Sequence, residues 1–528
     1  MIAENPVIRG FSPDPSLLKV GEDYYIATST FEWFPGVAIY HSKDLVNWEL
    51  TDYALKNDEW MDLTGIDTSC GIWAPNLTYD RGRFYLLYTI VYTNHHWYKD
   101  TWNFMTSAPS VHGPWTKPVA LNRSGFDPSL FHDDDGKNYL VNMVMGHHPD
   151  EAHRFDGIDV QEINEETGEL YGKPVRVFTG SRFGFTEGPN IFKHHGEYYL
   201  FCAAGGTESG HAEIVARSKD LFGPYEETQK SLFLTSVGHD DCRLKRAGHA
   251  QIVCADAGSW YMAHLCGTPI HDRCILGRET AIQNICWTED GYPKIRDRED
   301  NGPNDTFEVP ADVQTIKISE ETLDFTAGDV LSKEYMTLRK SAGKQGISTE
   351  NGHLRIRGGC SLNSLYHQGL TARRLRSLNA DFMTQLCFEP TCENHMAGAA
   401  AYYNYDNYMY LRLLHTEEGK TLNVVVCENK EIRESAFVPV PEETEKVGLK
   451  LEIREDRIRF FYTFETGQAD RAEDFSWKPI GTVEDMTHLS DEYIAGNGFT
   501  GTMLALCCQD LQGDGVSADF DWVRYIEK

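Results

Sequence analysis

The stretch Ser12-Pro13-Asp14-Pro15-Ser16-Leu17 recurs in altered form at four later points of the chain. The later copies are Trp73-Ala74-Pro75-Asn76-Leu77, Phe126-Asp127-Pro128-Ser129-Leu130, Glu187-Gly188-Pro189-Asn190-Ile191 and Gly248-His249-Ala250-Gln251-Ile252. Aligned on the proline, which is Ala250 in the last copy, successive copies lie 60, 53, 61 and 61 residues apart. A nearly fixed period of this length indicates that one supersecondary unit is repeated five times.

Each repeat is predicted to be a small sheet of short strands. An aromatic pair or near-pair follows each motif after ten or eleven residues, as at Tyr24-Tyr25 and Tyr198-Tyr199, inside runs of strand-forming residues. Radial stacking of such sheets gives a β-propeller, in which the first strand of each blade lines the central axis. The sequence therefore predicts a five-bladed propeller over residues 1–305, with the motif residues converging on one place.

A second domain is predicted after a charged, turn-rich segment at residues 296–306. Apolar and other residues alternate over 447–453, and again over 458–462, which is the period of a half-buried strand. Many short strands with almost no helical periodicity favour a β-sandwich. We therefore expect an all-β chain, with the sandwich over residues 320–528.

The composition excludes several kinds of partner. The net charge of -31 leaves no basic surface to neutralise the phosphates of nucleic acid. No stretch approaches the ~20 apolar residues of a membrane span, and the N-terminus lacks the pattern of a secretory signal. The thirteen cysteines are scattered without a CxxC pair, which favours reduced thiols and a cytoplasmic location.

Three acidic residues stand in the motif copies, and together they indicate glycosidic bond hydrolysis. That reaction needs one protonated carboxylic acid and one ionised carboxylate on opposite sides of the anomeric carbon. Asp14 and Glu187 are the best candidates, and Asp127 holds the repeat position equivalent to Asp14. Taken singly, an Asp beside Pro is equally explained as a turn or a cap. Three acids lining a propeller axis favour catalysis, because an unpaired buried charge is costly.

Other residues of the repeats have two interpretations each. His249 is either a structural histidine or a ligand, direct or through water, of a cation on the axis. Arg278 is predicted to pair with carboxylates or to bind a polar ligand. Trp73 and Phe31 either pack in the core or stack on a sugar ring.

The ordered motifs resemble glycoside hydrolase family 43, and more closely its two-domain β-xylosidases. The resemblance covers nearly the whole chain, from the propeller to the C-terminal Ala518-Asp519-Phe520-Asp521-Trp522. It rests on Ser12-Pro13-Asp14-Pro15-Ser16, Gly71-Ile72-Trp73-Ala74-Pro75, Gly125-Phe126-Asp127-Pro128-Ser129 and Thr186-Glu187-Gly188-Pro189.

The resemblance implies a role for each candidate residue. Asp14 matches the general base that activates water, Glu187 the general acid, and Asp127 the acid that tunes and orients it. Arg278 matches an arginine that binds hydroxyls of the non-reducing-end sugar, while Phe31 and Trp73 match pocket-wall aromatics. A loop of the second domain reaches over the pocket in such relatives, and Phe499 in Gly496-Asn497-Gly498-Phe499-Thr500-Gly501 is our candidate for its aromatic residue.

The expected activity is exo-acting, inverting β-1,4-xylosidase activity on short xylo-oligosaccharides. No cofactor is expected to be required, although the resemblance admits Ca²⁺ or another divalent cation near His249, and a homo-oligomer is compatible with it. Three alternatives stay open: α-L-arabinofuranosidase activity, alone or as a second activity; a non-catalytic sugar-binding propeller; and a retaining, fructosidase-like enzyme. The last predicts carboxylates ~5 Å apart rather than ~6.5–9.5 Å.

Overall fold

The computed structural model describes residues 1–94, 98–146, 148, 154–256, 258–310, 313, 320–494 and 498–528. Nearly all regular structure in these ranges is β-strand. The exceptions are short 3-10 helices at Phe325–Ala327, Gly343–Gln345 and Ala469–Asp474. Across the described ranges, we find no helix with the length and apolarity needed to cross a membrane.

Five antiparallel sheets of four strands follow one another along the chain, which confirms the predicted five-bladed propeller. Blade one contains Ser16–Val20, Asp23–Thr28, Gly36–Ser42 and Glu49–Leu55, and blade two contains Gly71–Asp80, Arg83–Val91, Thr101–Ala108 and Val119–Ala120. Blade three contains Ser129–His132, Asn138–Met145, Phe155–Ile163 and Leu170–Phe178, and blade four contains Thr186–His194, Glu197–Ala204, Ala212–Ser218 and Leu232–Thr235. Blade five contains Lys245–Asp256, Ser259–Gly267, Glu279–Trp287 and Pro293–Ile295.

The second strand of a blade is covered on both faces, and its sequence shows this. Arg83–Val91 is buried along almost its whole length and reads as a continuous aromatic and apolar run. Strands covered on both faces have such continuous runs, whereas half-exposed strands alternate. The ends of the propeller meet where Ile2–Glu4 pairs with Thr306–Glu308, just past the predicted boundary at residue 305.

The C-terminal part is a sandwich of two eight-stranded sheets, as the alternating pattern predicts. Strand Lys446–Arg454 buries Leu449, Leu451 and Ile453 between the sheets. One sheet has the order Ile347–Glu350, His353–Arg357, Ser517–Glu527, Asn379–Cys387, Lys446–Arg454, Arg457–Thr463 and Lys478–Asp485, with Glu320–Asp324 also paired to Ser517–Glu527. The other has the order Glu431–Pro439, Gly419–Glu428, Asn407–Thr416, His395–Asn404, Met503–Asp510, Leu370–Arg374, Tyr335–Leu338 and Trp33–Phe34.

The last strand of the second sheet comes from the propeller, and this joins the two domains. Trp33–Phe34 leaves blade one and pairs with Tyr335–Leu338, so that Phe34 lies opposite Thr337. The Trp33 ring is fully buried and meets the Tyr402 ring edge-on at 6.2 Å. Blade one therefore contacts the sandwich through strand pairing as well as through side-chain packing.

Candidate active site

The residue directly before the aligned proline, or before Ala250, has a left-handed backbone in every blade. The φ angles are 55° at Asp14, 37° at Ala74, 52° at Asp127, 60° at Gly188 and 53° at His249. Residues other than glycine rarely adopt this conformation. In blades two, four and five the strand register shifts within the motif, as expected for a β-bulge. All five residues consequently line one narrow cavity on the propeller axis.

Asp14 is buried and its carboxylate receives three partners. Ser29 Oγ donates to Asp14 Oδ2 at 2.6 Å. Arg278 Nη1 lies 3.2 Å from Oδ1, and His249 Nδ1 lies 3.3 Å from the same oxygen. Burial alone would raise the pKa of Asp14, but Arg278 and His249 lower it far below its ordinary value. Asp14 is therefore an ionised carboxylate at neutral pH.

Glu187, at the start of blade four, has the opposite ionisation tendency. Burial raises the pKa of Glu187, and the charge of Asp14 adds to this effect. The cations His249, Lys99 and Arg278 oppose the increase without cancelling it. Two carboxyl groups of one pocket thus have pKa values shifted in opposite directions, the pattern of an acid paired with a base.

Asp127 lies beside Glu187 and holds its backbone. Its Oδ2 accepts a hydrogen bond from the backbone N–H of Gly188 at 3.0 Å. Its own N–H donates to Thr89 Oγ1 at 3.2 Å, which ties blade three to blade two. Burial raises the pKa of Asp127, and the charges of Glu187 and Asp14 raise it further. Asp127 is placed to affect both the orientation and the proton of Glu187.

Aromatic rings from both domains form one wall of the site. The Trp73 ring centroid lies 6.0 Å from that of Phe31 and 5.5 Å from that of Phe499. The Arg278 guanidinium lies 5.5 Å from the centre of the Phe31 ring and 5.3 Å from that of Phe499. The structure therefore brings the predicted wall residues together with Arg278. Gly496 and Asn497, which the sequence placed in the same loop as Phe499, lie outside the described residues.

Sequence reasoning missed several residues of this site. Ser29 binds Asp14 and also accepts the N–H of Ala74 at 2.7 Å. Thr207 Oγ1 accepts from Arg278 Nη1 at 2.9 Å. Lys99 Nζ lies 5.1 Å from the centre of the Trp73 ring, and burial lowers its pKa to about 8. None of the three lies in a motif copy, so the repeat carries no signal for them.

The His249 ring contacts the carboxylate of Asp14, with Nδ1 3.3 Å from Oδ1. Burial alone would lower the pKa of His249, but the hydrogen bond and charge of Asp14, with other nearby carboxylates, raise it to about 9. A protonated ring would have to release a proton before it could bind a cation directly. Within the ranges that the structure describes, no three His, Cys, Asp or Glu side chains are grouped as a metal site. A cation near the axis stays a prediction from the sequence.

Comparisons with known proteins agree with this architecture. Residues 3–293 match the family model described as glycosyl hydrolases family 43, and residues 322–526 match the β-xylosidase C-terminal concanavalin A-like domain. The chain is 39% identical to a β-xylosidase of Bacillus subtilis (strain 168) over 543 residues, with 99% of each chain covered. It is 40% identical to xylosidase/arabinosidase 43B of Humicola insolens over 535 residues, covering 99% of this chain and 97% of the relative. The solved structure of xylan β-1,4-xylosidase from Bacillus halodurans C-125 superposes with a TM-score of 0.94 at 41% identity, covering 99% of this chain and 100% of that one.

Proposed function

The chain belongs to glycosyl hydrolase family 43, and from this we propose that it is an exo-acting β-1,4-xylosidase. It would release xylose from the non-reducing ends of short xylo-oligosaccharides. The proposal rests on the pairing of Asp14, whose pKa is lowered, with Glu187, whose pKa is raised, beside an aromatic wall. The names of the similar proteins support xylose as the sugar.

In the proposed reaction, both catalytic groups are side chains of this chain. Asp14 accepts a proton from a water molecule whose oxygen attacks the anomeric carbon. Glu187 gives its proton to the glycosidic oxygen as the bond from that oxygen to the anomeric carbon breaks. Xylose leaves with inverted configuration, and the shortened oligosaccharide carries the new hydroxyl group. We propose that no cofactor is required, because acid and base are both supplied by the protein.

The protein around these groups would orient the sugar and the acid. Arg278 would donate hydrogen bonds to hydroxyls of the terminal sugar, and its bond to Thr207 Oγ1 at 2.9 Å helps to hold it in place. Phe31, Trp73 and Phe499 would pack on the apolar face of the sugar ring. Since Phe499 comes from the second domain, it would close the pocket on one side. A closed pocket favours removal of single terminal residues over cleavage within a polymer.

A second activity on α-L-arabinofuranosides is also proposed, supported by the name of the Humicola insolens relative. The test measures kcat/KM on 4-nitrophenyl β-D-xylopyranoside and on 4-nitrophenyl α-L-arabinofuranoside. We expect the xyloside to be the better substrate, and Asp14→Ala to abolish both reactions. A faster reaction on the arabinofuranoside would replace the main proposal, and binding without turnover of either would leave a sugar-binding protein.

The proposed setting is a reducing cytoplasm supplied with small oligosaccharides. All thirteen cysteines lie in described parts of the chain and carry free thiols. Persistently reduced thiols suit the cytoplasm rather than an oxidising compartment. Self-association into a homo-oligomer is left as a prediction from the sequence.

A further inference from the structure

A buried ion pair joins the two domains behind the pocket. Arg246, in the first strand of blade five, places Nη1 2.9 Å from Oδ2 of Asp491 in the sandwich domain. The Asp491 side chain is 0% exposed and that of Arg246 is 8% exposed. Tyr403 of the sandwich donates its hydroxyl to Asp491 Oδ1 at 2.8 Å. Each carboxylate oxygen of Asp491 thus has a partner, one from each domain.

Asp491 lies directly against the residue that precedes Phe499. The chain returns to Asp491 at Gly498, where an added Cβ would lie 2.3 Å from the carbonyl oxygen of Asp491. Phe499 is the next residue, and its backbone N–H donates to Ser69 Oγ at 3.1 Å. Only glycine permits so close an approach of two backbone segments. The position of Asp491 therefore constrains the position of Phe499.

Arg246 and the residue after Asp491 also contact the segment that carries Arg278. Glu492 accepts the second arm of Arg246, with Nη2 2.8 Å from Oε1, and its Oε2 accepts the N–H of Cys274 at 2.8 Å. Gly277 packs on Thr500, since an added Cβ would lie 2.2 Å from the Thr500 carbonyl oxygen. Arg278 in turn donates from Nη2 to the Phe499 carbonyl oxygen at 3.2 Å. Two residues of the pocket, one from each domain, are thus held against each other.

We propose that Asp491, held by Arg246 and Tyr403, is a positioning residue that fixes Phe499 against the terminal sugar. This inference rests on the proposed glycosidase function and names the interdomain contact that completes its sugar subsite. Because the Asp491 side chain is fully buried, it would act through Phe499 and not on the substrate directly. A buried ion pair often adds little to the free energy of unfolding, because both charges lose their hydration. We infer that this pair instead fixes the relative position of its two partners. A different interdomain pair, Lys344 Nζ with Asp58 Oδ1 at 2.7 Å, has a lysine that is 51% exposed and provides a comparison.

The test is a double-mutant cycle on Asp491→Asn and Phe499→Ala. Asparagine keeps the size of the side chain but removes the charge that Arg246 binds. A displacement of about 1 Å in a positioning group can cost roughly 10²-fold in rate. We therefore expect Asp491→Asn to lower kcat/KM on 4-nitrophenyl xyloside by about 10- to 100-fold. In the Phe499→Ala background the same change should cost less than about threefold, because coupled residues are not additive.

Matched controls separate positioning from stability. Lys344→Met should lower kcat/KM only slightly, and this small loss should add to that of Phe499→Ala in the double variant. Tyr403→Phe removes one hydrogen bond to Asp491 and should reproduce the non-additivity at smaller size, which covers the case in which Asp491→Asn fails to fold. Calorimetric xylose affinity, which needs no turnover, should follow the same cycle.

Two results would overturn the inference. One is that the losses of kcat/KM caused by Asp491→Asn and Phe499→Ala add up in the double variant. The other is that a folded Asp491→Asn protein keeps its kcat/KM and its affinity for xylose. A wild-type protein without activity on any xyloside or arabinofuranoside would instead refute the proposed function, so the two failures are distinguishable.

Discussion

At the scale of single residues, two carboxyl groups of one pocket acquire opposite ionisation from their neighbours. Asp14 faces the cations Arg278 and His249, whereas burial dominates at Glu187. The amino-acid composition does not predict this difference in ionisation, because the difference depends on which side chains lie together in the folded chain. The repeat nevertheless identified both residues, since it places acids only in certain blades.

Glu187→Ala should affect substrates according to their leaving group. A poor leaving group needs the proton of the general acid, and loss of that acid costs about 10²- to 10⁴-fold. An activated phenol leaves with little protonation. We expect a large loss of kcat/KM on xylobiose and a much smaller loss on a dinitrophenyl xyloside. Equal losses on both substrates would show that Glu187 is not the general acid.

Asp127→Asn should move the basic limb of the pH–rate profile toward acid. Burial raises the pKa of both Asp127 and Glu187, and the charge of Glu187 raises that of Asp127 further. Because the interaction of two charges is mutual, we expect the charge of Asp127 to favour the protonated form of Glu187. Asparagine removes one charge, so Glu187 should lose its proton at lower pH, with reduced activity. A folded variant whose basic limb stays in place would reduce Asp127 to a turn residue.

At the scale of strands, the motif was predictable because its sequence repeats, whereas its left-handed backbone was not predicted. The short strand Trp33–Phe34 was not predicted. Two residues carry no period, and their partners Leu338 and Thr337 lie 305 and 303 positions later in the chain. The segment that follows Phe499 joins the sheet only at Met503, where the strand begins. Close backbone packing at Gly498 and Gly501 keeps this segment outside the sheet.

The blade-five strand Glu279–Trp287 supports a prediction about stability and pH. Glu279 accepts the N–H of Gly10 at 3.1 Å and the hydroxyl of Thr268. Burial raises its pKa from an ordinary 4.5 to about 7, against these hydrogen bonds, which lower it. Because the pKa of Glu279 is raised in the folded state, the protonated carboxyl contributes fully to the free energy of unfolding below pH 4.5. This contribution is lost as the pH rises through about 7.

Glu279→Gln should therefore reduce the fall in Tm between pH 5 and pH 8. Glutamine can still accept from Gly10 and can donate to the Thr268 oxygen, while it removes the titration. Each pKa unit corresponds to about 1.4 kcal/mol, so we expect a difference of a few degrees. Thermal melts of wild type and variant at both pH values provide the measurement, and parallel curves with the same pH dependence would contradict the assignment.

At the scale of the whole molecule, the two domains share one sheet and one pocket. Arg374 reaches from the sandwich to the propeller, where its Nε donates to the Phe11 carbonyl oxygen at 2.6 Å. The sequence predicted two domains, but it gave no sign of the shared strand, because pairing between distant segments leaves no local pattern. The Phe499 assignment depended on the family resemblance alone.

A shared sheet predicts that the domains unfold together. Differential scanning calorimetry of the full chain should show a single transition, and saturating xylose should shift it as a unit by mass action. Two separate transitions, of which xylose moves only one, would show that the domains are energetically independent.

Asp14 and Glu187 come from non-adjacent blades, and water is expected to displace the leaving group in a single step between them. Proton NMR of the first xylose released from xylobiose distinguishes the two stereochemical outcomes. We expect α-xylose to appear first and β-xylose to accumulate only through later mutarotation. Initial release of β-xylose would contradict inversion, and with it the roles of base and acid assigned to the two carboxyl groups.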